Sequence, residues 1–178
     1  MAGTLITRLA CAVAVTLLTF VGLATQSTAA PPARPPDDPD FSIDLLAGVA
    51  CAGFDLRIEA WDPKNRVFKE FTDRNGNVVR LLFAGKGALL ALTNLDSGEN
   101  LIMKTGGSAL HITVSPDTQT WVNTGHNVVV FFPTDVPAGP STKLYVGKLV
   151  YTVDLATGVF TLERVTGRST DICAALSD

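Results

Sequence analysis

Residues 78–114, VVRLLFAGKGALLALTNLDSGENLIMKTGGSALHITV, contain four short apolar runs separated by segments rich in glycine. The runs cover residues 78–84, 88–94, 101–105 and 108–114. Runs of roughly four to eight residues with such boundaries predict consecutive antiparallel strands, because glycine supplies the positive φ of tight hairpins. The stretch therefore predicts a β-meander, in which neighbours in sequence pair in space.

The same pattern continues on both sides of this stretch. Further strands are predicted at residues 54–61, 67–72, 118–124, 127–132, 143–153 and 159–165. Residues 41–53 are predicted as a loop or one helical turn. About ten short strands without a substantial helix predict an all-β domain, an antiparallel meander that closes as a β-barrel or packs as a β-sandwich. The short hairpins favour the barrel.

The chain has three predicted segments. Residues 1–29 contain Arg8, an uncharged apolar run and then small residues, which is the pattern of a secretory signal peptide. Residues 30–40 are rich in proline and are predicted to be an extended, solvated linker. Residues 41–178 are predicted to fold as a single all-β domain. We therefore expect a secreted, extracellular protein with no membrane attachment after signal cleavage.

Cys51 and Cys173 are the two cysteines that remain once the signal peptide is removed. An even pair in an exported chain predicts one disulfide, because the compartment is oxidising. That disulfide would tie the first strand of the domain to the last. The chain is weakly acidic and has no basic block, which argues against nucleic acid or anionic membranes as partners.

One segment has part of the spacing of a calcium loop. Asp73, Asn75 and Asn77 stand at its first, third and fifth positions. The motif then needs a glycine and a distant glutamate, where this chain has Val78 and Ala84. The same residues suit a hairpin with Asn-Gly at its tip, so we predict a turn and no calcium site.

His111 and His126 are the two histidines of the chain. A zinc or iron site needs three or more converging ligands, and the sequence fixes no third group beside them. We predict no metal and no cofactor. His111 alternates with Leu110 and Ile112, so it lies on the opposite strand face. It would be a lumenal group if its polar face lined a closed barrel, and a solvent-facing histidine otherwise.

Motifs for catalysis are missing from the sequence. There is no Gly-x-Ser-x-Gly segment, and the glutamates are scattered over predicted solvent faces instead of pairing across a cleft. No catalytic residue is predicted, and an enzyme is the third hypothesis behind two kinds of binding protein.

Six short motifs carry a resemblance to known proteins. They are Cys51, LTNLDSG at 92–98, TGHN at 124–127, FFPTD at 131–135, GR at 167–168 and DICAAL at 171–176. Together they resemble a group of small secreted proteins of actinobacteria and span nearly the whole predicted domain. That group has no assigned activity. The resemblance implies export, an all-β fold and a terminal cysteine pair, and it transfers no functional residue.

Two functional hypotheses of different classes follow. The first is a secreted, non-catalytic β-barrel module that binds a small apolar or amphipathic ligand inside, because residues 88–92 and 127–132 are apolar on both phases. The second is a surface module that contacts a protein, a glycan or another cell-envelope component through aromatic rings at strand ends, which could equally plug a barrel. The predicted ligand-binding residues are His111, Trp121, His126, Trp61 and Tyr145.

Overall fold

The structure is a computed structural model that describes residues 33–34, 37–62, 64 and 66–177. Across these residues the chain forms eight strands and one helical turn. They are β1 (Phe41–Leu45), β2 (Leu56–Trp61), β3 (Arg66–Thr72), β4 (Val78–Asn94), β5 (Asn100–Val114), β6 (Thr118–Phe131), β7 (Ser141–Asp154), β8 (Phe160–Asp171) and α1 (Ile172–Ala175). The pairs between these strands are antiparallel, which confirms the predicted all-β meander.

A single sheet contains all of these strands. Its path is β1-β2-β4-β5-β6-β7-β8, and β3 pairs with β4 outside this path. Strands β2 and β3 share one edge of β4, because β2 pairs with residues 89–94 and β3 with residues 78–85. Part of the sheet closes as a four-stranded barrel, which the remaining strands extend. Of the two predicted closures, the structure therefore has the barrel.

Three of the predicted breaks between strands are wrong. The sequence places breaks at residues 85–87, 106–107 and 125–126, but β4, β5 and β6 run through them as single long strands. The register of the β4–β5 pair shifts around the first break, and that of the β5–β6 pair shifts around the second. These glycines therefore belong to β-bulges and not to hairpin turns. The loop predicted at 41–53 is also wrong in part, since β1 forms there.

Gly87 and Gly106 bring the backbones of β4 and β5 into direct contact. A Cβ atom on Gly87 would lie 2.0 Å from the carbonyl oxygen of Thr105, and one on Gly106 would lie 2.1 Å from the nitrogen of Gly87. Gly106 also has a φ of 116°, in the region that favours glycine. The close approach therefore requires glycine on both strands and fixes the position of the bulge.

Two clusters of buried side chains form the core. The larger cluster joins β2 and β4 to the β1–β2 loop and the C-terminal turn, through Ala50, Cys51, Phe54, Leu56, Leu92, Ile172 and Leu176. The smaller cluster lies on β6 and β7, around Phe131, Tyr145 and Leu149. Burial of each large apolar side chain stabilises the folded state by about 1.5–3 kcal/mol, so both clusters stabilise the folded sheet.

The predicted disulfide between Cys51 and Cys173 is confirmed, with the two Cα atoms 5.5 Å apart. It ties the β1–β2 loop to α1. Beside it, the hydroxyl of Thr142 donates to the carbonyl of Ala50 at 3.1 Å. The Nδ2 of Asn94 donates to a carbonyl of the C-terminal turn at 2.9 Å. The beginning and the end of the domain are therefore fixed at one place.

The segment before β1 contacts β2. Arg34 forms a 2.7 Å ion pair with Glu59, and the indole nitrogen of Trp61 donates to the carbonyl of Asp37 at 2.9 Å. Arg34 and Asp37 belong to the predicted linker. The described part of that linker contacts β2 through these two interactions. The predicted signal peptide, residues 1–29, lies outside the described residues.

We expect Gly87→Ala to lower the free energy of unfolding by about 3 kcal/mol, because the new methyl group overlaps the Thr105 carbonyl. Gly53→Ala is the matched control, since a Cβ there meets nothing within 4 Å. We expect that variant to stay within about 0.5 kcal/mol of the wild type. Urea unfolding measures both. Equal stability of the two variants would contradict the close contact between β4 and β5.

Candidate functional site

Strands β5 and β6 separate at Gly106 and His126. Strand β6 pairs with β5 from Gln119 to His126, and beyond His126 its partners among the described residues belong to β7. Strand β5 continues beside β4 instead. A cavity of about 460 Å³ lies where the strands diverge. Small-molecule sites span roughly 300–1,000 Å³, so this cavity has the size of a ligand site.

The wall of the cavity combines apolar and polar groups. Its apolar side chains come from β4, β5, β6 and β8 and include Phe83, Leu90, Leu110, Val128, Val130 and Phe160. Its polar side chains are Lys86, Thr105, Asn123, His126, Asn127 and Tyr151. The hydroxyl of Thr105 already donates to the carbonyl of Ala88 at 2.9 Å. The polar groups that matter for a ligand are therefore the other five.

The strand register explains why an amide lies among apolar groups. Leu110 pairs with Phe83 on one side and with Asn123 on the other. Asn123 in turn pairs with Leu149 of β7, which is fully buried. Residues directly opposite each other in an antiparallel pair point to the same face of the sheet. Asn123 therefore continues an apolar row that faces the interior.

Asn123 and Asn127 are the amides of the cavity. The Oδ1 of Asn123 and the Nδ2 of Asn127 are shielded from solvent and have no hydrogen-bond partner in the part of the chain that the structure describes. An unsatisfied buried polar group costs about 1–3 kcal/mol. Protein atoms enclose both of these groups, so they do not face the open volume of the cavity.

Tyr151 lies beside Asn123 within an aromatic stack. Trp121 stacks on one side with ring centroids 5.5 Å apart, and Phe160 packs against the Tyr151 ring at 4.4 Å. Burial raises the pKa of Tyr151 to about 12, and a side-chain hydrogen bond with Asn123 offsets only part of this rise. The phenol is therefore neutral at physiological pH, where it serves as a hydrogen-bonding group.

The predicted aromatic contacts are largely covered. Trp61 is 9% exposed, with its indole bonded to the segment before β1. Tyr145 is 6% exposed and meets Phe131 edge-on, with centroids 6.4 Å apart. Trp121 is half-buried against Tyr151. These rings fill the structure and present little flat surface to a sugar or a partner.

The two histidines lie at different places. His111 is exposed on β5, while the neighbouring Ile112 is buried and Leu110 lines the cavity. The apolar face of β5 is thus the inner one, and the condition for a lumenal His111 is not met. His126 lines the cavity, and it also lines a second groove of about 650 Å³ together with Trp61. Of the five predicted residues, only His126 belongs to the cavity.

Asn123, Asn127 and Tyr151 were not among the residues predicted from the sequence. The sequence did contain a signal for the two amides. Their positions differ from those of Trp121 and Phe131 by even numbers of residues, so all four share one face of the strand. Polar amides in the phase of large apolar residues indicate buried polar groups. The signal required knowledge that this phase faces inward, which the predicted break at residues 125–126 concealed.

The candidate calcium loop is a hairpin turn. The Oδ1 of Asp73 accepts the backbone N–H groups of Asn75 and Asn77 at 2.8 and 2.9 Å. Hydrogen bonds from the side chain and backbone of Asn77 hold the pKa of Asp73 below its ordinary value.

No three His, Cys, Asp or Glu side chains converge as a metal site would need, within the residues that the structure describes. In the same residues, no helix has the length and apolar character to cross a membrane.

Comparisons with known proteins give no match: no protein-family model, no curated protein and no solved structure is similar to this chain. The resemblance to small secreted actinobacterial proteins stays a prediction.

Tyr151 predicts an alkaline loss of stability. Its folded pKa of about 12 lies above the ordinary value of 10.0, so the folded state retains the proton longer than the unfolded state. The resulting stability is present below pH 10 and is lost as the pH rises toward 12. We expect Tyr151→Phe to reduce this loss by about 2–3 kcal/mol. Urea unfolding at pH 8 and at successive alkaline values measures it, and an identical alkaline loss in both proteins would contradict the burial of the phenol.

Proposed function

We propose that this protein is a secreted, non-catalytic β-barrel module that binds a small, mostly apolar ligand in the cavity between β4 and β6. One observation carries the proposal. The cavity has the volume of a small-molecule site, and apolar side chains of four strands line it together with a few polar ones. Such a combination, apolar surface with a few convergent polar groups, is typical of small-molecule sites.

The position of the cavity supports a ligand. It lies between two clusters of buried side chains, one around Leu92 and one around Phe131, and members of both clusters line it. An apolar ligand would therefore meet apolar side chains on two sides.

The lining supports binding without catalysis. Its lining includes the amine of Lys86 and the imidazole of His126, and no carboxylate lines it in the described chain. General acid–base or nucleophilic chemistry needs an acid, a base or a nucleophile oriented by a second group. Tyr151 is held neutral and therefore does not supply the base.

Secretion is part of the proposal. It rests on the signal-peptide pattern of residues 1–29, and the Cys51–Cys173 disulfide supports it because such bonds persist in oxidising compartments. Trp61 and Tyr145 are buried, which argues against a surface module that contacts its partner through these rings.

Export can be tested on the full chain expressed in an actinobacterial host. We expect the protein in the culture medium to begin at Ala30 and to contain no free thiol, because cleavage follows residue 29 and both remaining cysteines are paired. N-terminal sequencing and a thiol assay under denaturing conditions measure this. Retention of residues 1–29, or two reactive thiols, would contradict export through this signal.

The binding proposal is tested by filling the cavity. Leu110→Trp adds a large ring to the wall, whereas His111→Trp places the same ring on the exposed face one residue away. N-phenyl-1-naphthylamine, an apolar dye that fluoresces when shielded from water, is the probe. We expect saturable binding to the wild type and to His111→Trp, and a loss of at least about tenfold in affinity for Leu110→Trp because the space is occupied.

Two results would overturn the binding proposal. The first is a wild-type protein that does not bind the dye and that, in native mass spectrometry of protein purified from the medium, carries no organic molecule. The second is a Leu110→Trp variant that folds normally and binds as well as His111→Trp. Circular dichroism of both variants provides the control for folding.

A further inference from the structure

The second groove, of about 650 Å³, lies on the outer face of the sheet and is called the outer groove below. Three of its residues, Trp61, Leu89 and Lys104, stand opposite one another on β2, β4 and β5. Opposite residues in antiparallel pairs point to the same face. Leu90, the next residue on β4, packs against the core, so the row with Leu89 points away from the core. The outer groove is therefore a site separate from the core, with the volume of a small-molecule site.

Three nitrogen-bearing side chains of the outer groove surround one glycine. Gly106 pairs with Lys86 of β4 on one side and with His126 of β6 on the other. Lys104 stands two residues before Gly106 on β5 and thus on the same face. All three side chains are exposed. Because neighbouring strands lie about 4.8 Å apart, the Cα atoms of Lys86 and His126 are about 10 Å apart. A ligand group placed over Gly106 is therefore within reach of all three.

The charge of the outer groove favours an anion. In the part of the chain that the structure describes, neither Lys86 nor Lys104 belongs to an ion pair. Asp62 also lines the groove, but it follows Trp61 at the β2 end, and its Oδ1 accepts the backbone N–H of Lys64 at 3.2 Å. The whole chain has a formal net charge of −3, so the two lysines concentrate positive charge against the average of the molecule. Charge-assisted hydrogen bonds from such groups to an anion are stronger than neutral ones.

Apolar surface lies beside the cationic groups. Leu89 is half-buried and stands directly opposite Lys104. Trp61 stands on the other side of Leu89, and its indole nitrogen already donates to the carbonyl of Asp37. These two side chains therefore offer apolar contact and no hydrogen bond. A ligand with its anionic group over Gly106 would place the adjoining part of its body on Leu89.

We propose that the outer groove binds a small organic anion. Its phosphate, sulfate or carboxylate group is bound by Lys86, Lys104 and His126 over Gly106, and its apolar body lies against Leu89. This site goes beyond the proposed function, because it lies on the outer face of the sheet and does not require a ligand in the cavity.

The test titrates the full mature protein with four probes, 1-naphthyl phosphate, 1-naphthoate, 1-naphthol and inorganic phosphate. Amide shifts in ¹H–¹⁵N NMR locate each probe, since Lys104 and Gly106 line the outer groove alone, whereas Leu110 and Val128 line the cavity alone. From the shifts of the groove amides, we expect at least one aromatic anion to bind about tenfold more tightly than 1-naphthol and than inorganic phosphate. The tighter of the two aromatic anions identifies the preferred charged group.

Three variants assign the effect to the two lysines of the outer groove. We expect Lys86→Ala and Lys104→Ala each to weaken binding of the preferred aromatic anion about fivefold, with 1-naphthol unchanged within about twofold. Lys148→Ala is the matched control, because it removes the same charge from an exposed position on β7 outside the groove. Salt screens a charge at that distance, so the control should stay within about twofold of the wild type. All three lysines are exposed, so the variants should fold.

Four results would overturn the inference. The groove amides respond to 1-naphthol as strongly as to either anion, or inorganic phosphate alone binds as tightly as the aromatic anions. Alternatively, Lys148→Ala weakens binding as much as Lys86→Ala, or no probe shifts the amides of Lys104 and Gly106. The proposed function is decided separately by N-phenyl-1-naphthylamine in the cavity, so either proposal can fail while the other stands. The comparison of probes uses wild-type protein and is independent of the folding of any variant.

Discussion

The contact between Gly87 and Gly106 is the constraint on which the shape of this protein depends. Two neighbouring strands approach so closely that a Cβ on either glycine would meet backbone atoms about 2 Å away. A bulge at this point bends both strands and changes which residues face inward. Beyond it β5 stays with β4, while β6 turns away with β7. The cavity is the space that this divergence leaves, so the candidate site follows from a backbone feature.

Glycines in turns could be predicted from the sequence, whereas glycines in β-bulges could not. The turns after Asn94 and Asp154 were predicted correctly, and at each a side-chain oxygen accepts backbone N–H groups of the turn itself. That information is local. The segments 85–87 and 106–107 have the same glycines, but their role is decided by the partner strand that approaches them. A bulge is a property of two strands, and one strand's sequence does not separate it from a turn.

The same limit applies to the site. Alternation predicts which residues share a face only while the register is unbroken. On β4, Phe83 and Leu90 both line the cavity although one is odd and the other even, because the bulge between them shifts the phase by one. Along β6 the register with β7 is unbroken, so Asn123 and Asn127 share a face with Phe131, but the predicted break at residues 125–126 separated them into two strands. The disulfide between Cys51 and Cys173 needed only compartment and cysteine number, so it was predicted correctly.

The cavity also persists because its frame is fixed at two levels. At one level the glycine contact holds β4 against β5. At the other, the disulfide and the bond from Asn94 to the C-terminal turn hold the β1–β2 loop, β4 and α1 together. These contacts restrain the backbone of the strands that surround the cavity. Contacts that hold the strands around the cavity in place would lower the conformational entropy lost in the proposed binding. The contacts that shape the barrel would thus also preorganise the proposed site.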